Sequence, residues 1–437
     1  MVEQKNWYEL DLVKGMMGTM GGKALRGVSG TFIGSRIHSG KMGLIATKNY
    51  LDKTMKPEER RALIVTDDFT KKFAKKVTDI LNLIGFECRI WDGAIPEVPM
   101  YTVDEGYKVC EEFKPKVLIA IGGGSVMDTV KAVFIKYEHP EMNMHLIIPI
   151  LQEIGMRQKI KYTIAIPTTS GTGSEVTTAL VATDTKRDPP KKIEILGNEL
   201  VYDITILDPY FVKDMPPFLT MATGLDAFAH SMGSYVSNYG SAIIDMCNIQ
   251  AIKETLKYLP RAYKYGAKDI EARQAMQMAS TLAGMGFGNS TAGIDHSIGH
   301  AFGSIFHSHH GLTVGLFTAY SIAYQSKVTD RWMDLCHLFN IDTKDRDRNE
   351  LLKEFLQAIL NFVKSLDGPT CIKEMQEPKI TEEQYREKID ILAEMAYRDA
   401  VTLTSYRPAD VNGFKVIADA AWDGSIDKIL EFGGKPK

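Results

Sequence analysis

The chain has 437 residues, 44% hydrophobic and 24% charged, with a formal net charge of −3. That length exceeds one ordinary core and predicts two, while the near-average composition argues against a disordered or fibrous protein. With no long basic run and no apolar run long enough to span a bilayer, neither a nucleic-acid partner nor a membrane is expected.

The first forty residues are rich in Gly and Met, keep neither the helical nor the strand period, and read as an irregular extension or an oligomer contact. The opening MVEQKNWYELDLVKG lacks the continuous apolar stretch of a secretory signal. The five cysteines, Cys88, Cys110, Cys247, Cys336 and Cys371, are scattered and include no C-x-x-C. They read as core thiols of a cytoplasmic protein rather than a disulfide frame or thiolate metal site.

From about residue 61, short apolar runs alternate with helix-length amphipathic stretches: ALIVT at 62–66, ECRIW at 87–91, VLIAIG at 117–122 and TIAIP at 163–167. This alternation predicts βαβ units on a parallel sheet. Residues 138–162 interrupt it, with Pro140 and Pro149 limiting helix length, and read as an insertion with some helix. Further strands are expected at 178–183 and 204–207, before LDP at 207–209 and Pro216-Pro217. Beyond these, apolar residues recur at helical spacing. The expected division is therefore a parallel-sheet α/β domain over 1–208 with its N-terminal extension, and an all-helical domain over 209–437.

In VLIAIGGGSVMDTVKA a buried-type strand runs into Gly122, Gly123 and Gly124, and a helix opens at Ser125. The turn is either a tight βα connection or a pyrophosphate site, because glycines allow close approach and a helix N-terminus offers unpaired N–H groups. The loop TTSGTGSEVT after the next strand adds hydroxyls at Thr168, Thr169, Ser170, Thr172 and Ser174. Two such loops suggest a nucleotide crevice at the carboxyl edge of the sheet, although no G-x-G-x-x-G is present. Asp67 and Asp68 follow the strand ALIVT. A carboxylate there either caps the next helix or binds ribose hydroxyls and repels a 2′-phosphate, which favours NAD over NADP.

In the helical half, Asp226 and His230 lie four apart in TGLDAFAHSMGSYVS, as do His296 and His300 in GIDHSIGHAFGSIFHSHHG. That interval puts each pair on one helix face. Imidazoles with a carboxylate suit Fe²⁺ or Zn²⁺. The competing reading is incidental spacing and a polar HSHHG loop, weakened by Ala, Gly, Met and Phe surroundings in which clustered polar groups need partners. Phe287, Phe302 and Phe306 are either pocket walls or plain core.

GGGSVMDTVKA, PTTSGTGSEVT, LDP, TGLDAFAHSMGSYVS and GMGFGNSTAGIDHSIGHAFGSIFHSHHG occur in the order and spacing of the iron-containing (group III) alcohol dehydrogenases, which the chain resembles over roughly residues 30–437. The resemblance implies a dehydroquinate synthase-like α/β architecture in which a Rossmann-like domain precedes an all-helical one. It implies metal binding by Asp226, His230, His296 and His310. It also implies dinucleotide contacts from Asp67, Gly122, Gly123, Gly124, Ser125, Asp128, Thr168, Thr169 and Ser174, with Lys192 aligned across Pro189-Pro190. Relative to that family, Gly233 stands where an acidic residue is usual, His309 replaces a proline, and the extension and the 138–162 insertion are longer.

These readings predict an NAD-dependent enzyme that moves a hydride between the cofactor and a small alcohol, aldehyde or ketone. Fe²⁺ is expected first and Zn²⁺ second, and the enzyme is expected to be a homo-oligomer. The four ligands leave His300 beside the metal, either relaying the proton released on alcohol oxidation or orienting its neighbours. The alternatives on this fold are a dehydroquinate-synthase-type lyase and a glycerol-dehydrogenase-like polyol dehydrogenase. Segments 220–237 and 284–311 contain no Lys or Arg, which disfavours the phosphorylated acidic substrate of the lyase.

Overall fold

The computed structural model describes residues 6–11, 13, 32–147, 153–186 and 191–433. Most of the Gly- and Met-rich extension, Pro149 and Pro189-Pro190 lie outside them. The chain divides into two compact units between Met215 and Pro216.

The first unit is built on six parallel strands, β1 (Arg36–Ser39), β2 (Arg61–Val65), β3 (Glu87–Trp91), β4 (Val117–Gly122), β5 (Tyr162–Pro167) and β8 (Ile204–Leu207), ordered β1-β8-β5-β4-β2-β3. Helices α1 (Gly43–Thr54), α2 (Ala74–Asn82), α3 (Met100–Phe113) and α4 (Gly124–Glu138) cover it. Strand side chains alternate between two cores. Leu63, Val65, Leu118 and Ala120 pack with Val130, Val133 and Phe134 of α4; Ile64, Ile119, Ile121 and Ile164 pack with Leu51 of α1 and Val77 of α2. Burial on both faces explains the uninterrupted apolar run of β4.

Three local expectations differ from the structure. β1 falls in the segment read as irregular, because four residues with exposed Arg36 and Ser39 form an edge strand that carries no apolar run. β6 (Ala179–Asp184) forms where a strand is expected at 178–183, but it pairs antiparallel, in a separate two-stranded sheet, with β7 (Lys191–Leu196), a strand not among those expected from the sequence. The described part of the insertion holds only one 3₁₀ turn, Met144–Leu146. Its chain is pinned by two carboxylates instead: Glu199 accepts from the backbone N–H groups of Ile154, Gly155 and Met156, and Glu138 from those of Gln158, Lys159 and Ile160. These bonds meet the backbone's donor requirement without a helix.

The described residues of the second unit contain no strand. Its main helices are α5 (Pro217–Tyr235), α6 (Ala242–Tyr265), α7 (Ile270–Phe287), α8 (Ile294–Phe306), α9 (His310–Gln325), α10 (Arg348–Lys364), α11 (Glu382–Tyr397) and α12 (Val411–Asp423). α5 and α9 are buried nearly all round, as expected of central helices without an amphipathic stripe. They approach closely through small residues: a Cβ at Gly311 would lie 2.1 Å from the carbonyl oxygen of Ala222, and one at Gly315 would lie 2.8 Å from Cβ of Leu225. This contact sets the start of α9 beside the middle of α5, where Asp226 and His230 project.

Candidate functional site

Asp226 is the hub of the second unit's polar interior. Its Oδ1 lies 3.7 Å from Nδ1 of His230, 3.7 Å from Nε2 of His296 and 3.3 Å from Nε2 of His310. Asp226, His230 and His296 are 2%, 5% and 2% exposed. Despite this crowding, Asp226 Oδ1, His230 Nδ1 and His296 Nε2 make no hydrogen bond. Buried polar atoms converging without partners carry a large cost, and a cation bound among them removes it. The ligand atoms of Asp226, His296 and His310 lie within 4.8 Å of one another. His230 stands beside that trio, its ring stacked on Phe287 with centroids 3.9 Å apart.

The protonation states fit the same requirement. Burial holds His230 well below the ordinary histidine range, so its nitrogen lone pair is available. For His296, burial acts downward, but the Asp226 and Asp295 carboxylates on either side overcome it and lift the pKa to about 9. The imidazoles around Asp226 likewise overcome burial and hold it well below the usual carboxylate range. The two carboxylates beside His296 draw positive charge into the cluster, and with His230 and His310 held neutral by burial the donor set suits a divalent transition ion that takes the place of the His296 proton.

Two partners of these histidines were not legible in the sequence. Asp295, fully buried, accepts from Nδ1–H of His296 at 2.6 Å. Asp399 accepts from Nδ1–H of His300 at 2.8 Å and caps the 3₁₀ turn Ala400–Thr404 through the N–H of Val401. His300 stacks on His310, centroids 5.2 Å apart, and stands edge-on to His296. His309 packs edge-to-face on Phe218. Of the three phenylalanines, Phe287 lines the cluster, whereas Phe302 is fully buried against Phe306, Phe317 and Tyr385 and belongs to the core.

In the first unit the chain passes from β2 to β3 on one side and then crosses to β4 on the other side of β2, so the topological switch point lies between β2 and β4. Asp67 and the three glycines follow those two strands. Asp67 Oδ1 accepts from the N–H groups of Phe69 and Thr70 and from the Thr70 hydroxyl, which also lies 2.9 Å from the carbonyl oxygen of Ile121 at the end of β4. One carboxylate oxygen thus takes the capping role; Oδ2 has no hydrogen bond of its own among the described residues. Asp68 is exposed and paired with Lys71.

Gly123 precedes α4, whose N-terminus has no side-chain cap. A Cβ at Gly123 would lie 3.3 Å from the Thr169 side chain, and one at Gly124 would lie 2.8 Å from that of Thr172. The glycines therefore let the second loop close over the first. Thr168 ties the loops together by donating its N–H to the carbonyl oxygen of Gly122. An open helix N-terminus in a glycine cradle at a switch point fits a pyrophosphate. Ser125 is half-buried at this helix start.

Asp128 and Ser174 are committed inward. Ser174 Oγ donates to Asp128 Oδ1 at 2.7 Å, and Asp128 Oδ2 accepts from the N–H of Val181. Lys192 binds Thr183 and Glu97. Lys131, 1% exposed, donates to Ser174 Oγ, Thr177 Oγ1 and the carbonyl oxygens of Thr177 and Ala179. Burial lowers its pKa to about 8. Lys131→Met strands these acceptors, so it is expected to cost about 2–4 kcal/mol of stability and to raise the dinucleotide KM with metal content unchanged. Thermal melting and cofactor titration check this.

A parallel-sheet unit with an open switch-point crevice and a helical unit burying a metal-type cluster define the class of two-domain, metal-dependent dehydrogenases. The profile described as iron-containing alcohol dehydrogenase matches residues 35–209, and that of the Fe-containing alcohol dehydrogenase family, C-terminal, matches residues 220–422. The chain is 32% identical over 382 residues to the NADPH-dependent butanol dehydrogenase of Clostridium saccharobutylicum, covering 86% of this chain and 96% of that one. It is 30% identical over 357 residues to the NAD-dependent methanol dehydrogenase of Bacillus methanolicus, covering 80% and 90%. The iron-containing alcohol dehydrogenase of Thermococcus thioreducens matches in structure with a TM-score of 0.79 at 27% identity, over 90% of this chain and 99% of that one. The chain belongs to the iron-containing alcohol dehydrogenase family. It is an alcohol dehydrogenase, a metal-dependent oxidoreductase of alcohol and aldehyde pairs; the lyase and polyol alternatives are not favoured.

Proposed function

We propose that this alcohol dehydrogenase uses NAD(H) and a divalent ion, Fe²⁺ before Zn²⁺, held by Asp226, His230, His296 and His310. The observation that carries the proposal is the convergence of buried, unpartnered donor atoms on Asp226 Oδ1. When bound, the ion supplies Lewis acidity to an alcohol or carbonyl oxygen, and the nicotinamide exchanges the hydride. Asp226 and the imidazoles hold the positive charge in place, and Phe287 covers one face of His230 and keeps water from it. His300, oriented by Asp399, is placed to move the proton. Anaerobic NADH oxidation with short aldehydes, before and after loading with Fe²⁺ or Zn²⁺, tests the reading; no turnover with either ion would overturn it. A cytoplasmic homo-oligomer belongs to the same proposal. Among the described residues no helix is long and apolar enough to cross a membrane.

The relatives include both NADPH- and NAD-dependent enzymes, so the preference rests on this chain's own Asp67. Its Oδ2 is positioned to bind ribose hydroxyls and to repel a 2′-phosphate. Asp67→Asn keeps the acceptor that caps the turn and removes the charge, whereas Asp67→Gly removes both. Each is expected to raise the NADP-to-NAD ratio of kcat/KM by about tenfold or more, the order set by one partly screened charge. An unchanged ratio in both variants would reassign Asp67 to the turn alone.

A further inference from the structure

We infer that Asp295 is a positioning residue for the metal ligand His296: it fixes the imidazole so that Nε2 faces Asp226, and it supplies the second negative charge of the ion site. The inference rests on the metal reading above and goes beyond its four ligands. Neighbouring residues on a helix do not ordinarily face each other, yet Asp295 Oδ1 and His296 Nδ1 are 2.6 Å apart with both residues buried. The contact forms in the first turn of α8, where the helix dipole favours a carboxylate. With Nδ1 engaged by Asp295, Nε2 is the ring nitrogen left to face an ion, and it lies without a hydrogen bond 3.7 Å from Asp226 Oδ1.

Two glycines make room for the carboxylate. A Cβ at Gly233 would lie 2.4 Å from the backbone nitrogen of Gly293 and 3.2 Å from Asp295 Oδ2; one at Gly293 would lie 2.7 Å from Cα of Gly233 and 2.9 Å from the same oxygen. This gives Gly233 a physical reason: α5 and the start of α8 touch through backbone there, and the acidic group beside the ligands comes from α8. Oδ2 itself makes no hydrogen bond. A fully buried carboxylate bonded through one oxygen is costly for a merely structural group. As the outer partner of a ligating imidazole it raises ligand basicity and locks ring orientation, effects that are felt in metal affinity.

The test is Zn²⁺ affinity of the metal-free full chain, measured by competition with a chromophoric chelator for wild type, Asp226→Asn and Asp295→Asn. Asp295→Asn retains size and an acceptor oxygen but loses the charge, and it is expected to bind Zn²⁺ about 10–100-fold more weakly. Its metal-free melting temperature should stay near wild type, while the visible absorption of its Co²⁺ form should shift. If wild type binds no Zn²⁺, the metal reading itself falls. If wild type binds, Asp226→Asn does not, and Asp295→Asn matches wild type in affinity and Co²⁺ spectrum, the inference about Asp295 alone is overturned. Should Asp295→Asn lose its melting transition, Asp295→Ser, smaller and neutral, repeats the comparison with the same outcomes.

Discussion

Asp226→Asn is expected to leave a folded protein nearly devoid of metal, with kcat lowered by about 10³-fold or more, the scale of several kcal/mol of lost Lewis-acid stabilisation. The substitution keeps volume, so the packing of α5 against α9 through Gly311 is preserved. What disappears is the charge toward which three imidazole nitrogens point at 3.3–3.7 Å. His310→Ala is expected to act in the same direction, because His310 is the member of the trio supplied by α9. Metal content of each purified variant, set beside its turnover, checks the assignment. Normal occupancy in His310→Ala would move the role to His309, whose buried Nδ1 also lacks a hydrogen-bond partner.

The parts readable from sequence are those in which a local pattern and the final environment coincide. β4 and the glycine turn after it were legible because a strand buried on both faces leaves an unbroken apolar run, and a tight turn leaves glycines. Asp226 with His230 was legible because helical spacing alone places the two side chains on one face. Lys131 was not: a lysine in an amphipathic helix reads as a solvated face, and its partners, Ser174, Thr177 and Ala179, come from 43 to 48 residues away. Asp399 lies 99 residues from His300, so only the folded chain joins them. Asp295 was hidden differently, since adjacency in a helix argues against contact and the glycines that permit it come from two separate segments. β1 escaped notice because an edge strand exposes its ends and needs no apolar run. Each miss is a place where long-range packing reversed the meaning of a local residue.

His300→Gln should keep metal and NAD affinity while kcat falls by about 10²-fold, the size of general acid–base assistance. The hydrogen bond to Asp399 is compatible with both roles left open by the sequence. Nδ1–H of His300 donates to Asp399 at 2.8 Å, and this carboxylate would stabilise the imidazolium formed if the ring takes up the proton. This is the arrangement in which a base is oriented by a third group. Stacking on His310 holds the ring against a ligand without making it one. Asp399→Asn separates orientation from proton transfer: the amide still accepts from Nδ1–H but no longer offsets the positive charge, so kcat is expected to fall by about tenfold, less than in His300→Gln. Metal loss in His300→Gln would make His300 a ligand. Unchanged turnover would reduce it to packing, and an Asp399→Asn effect larger than that of His300→Gln would place the proton path elsewhere.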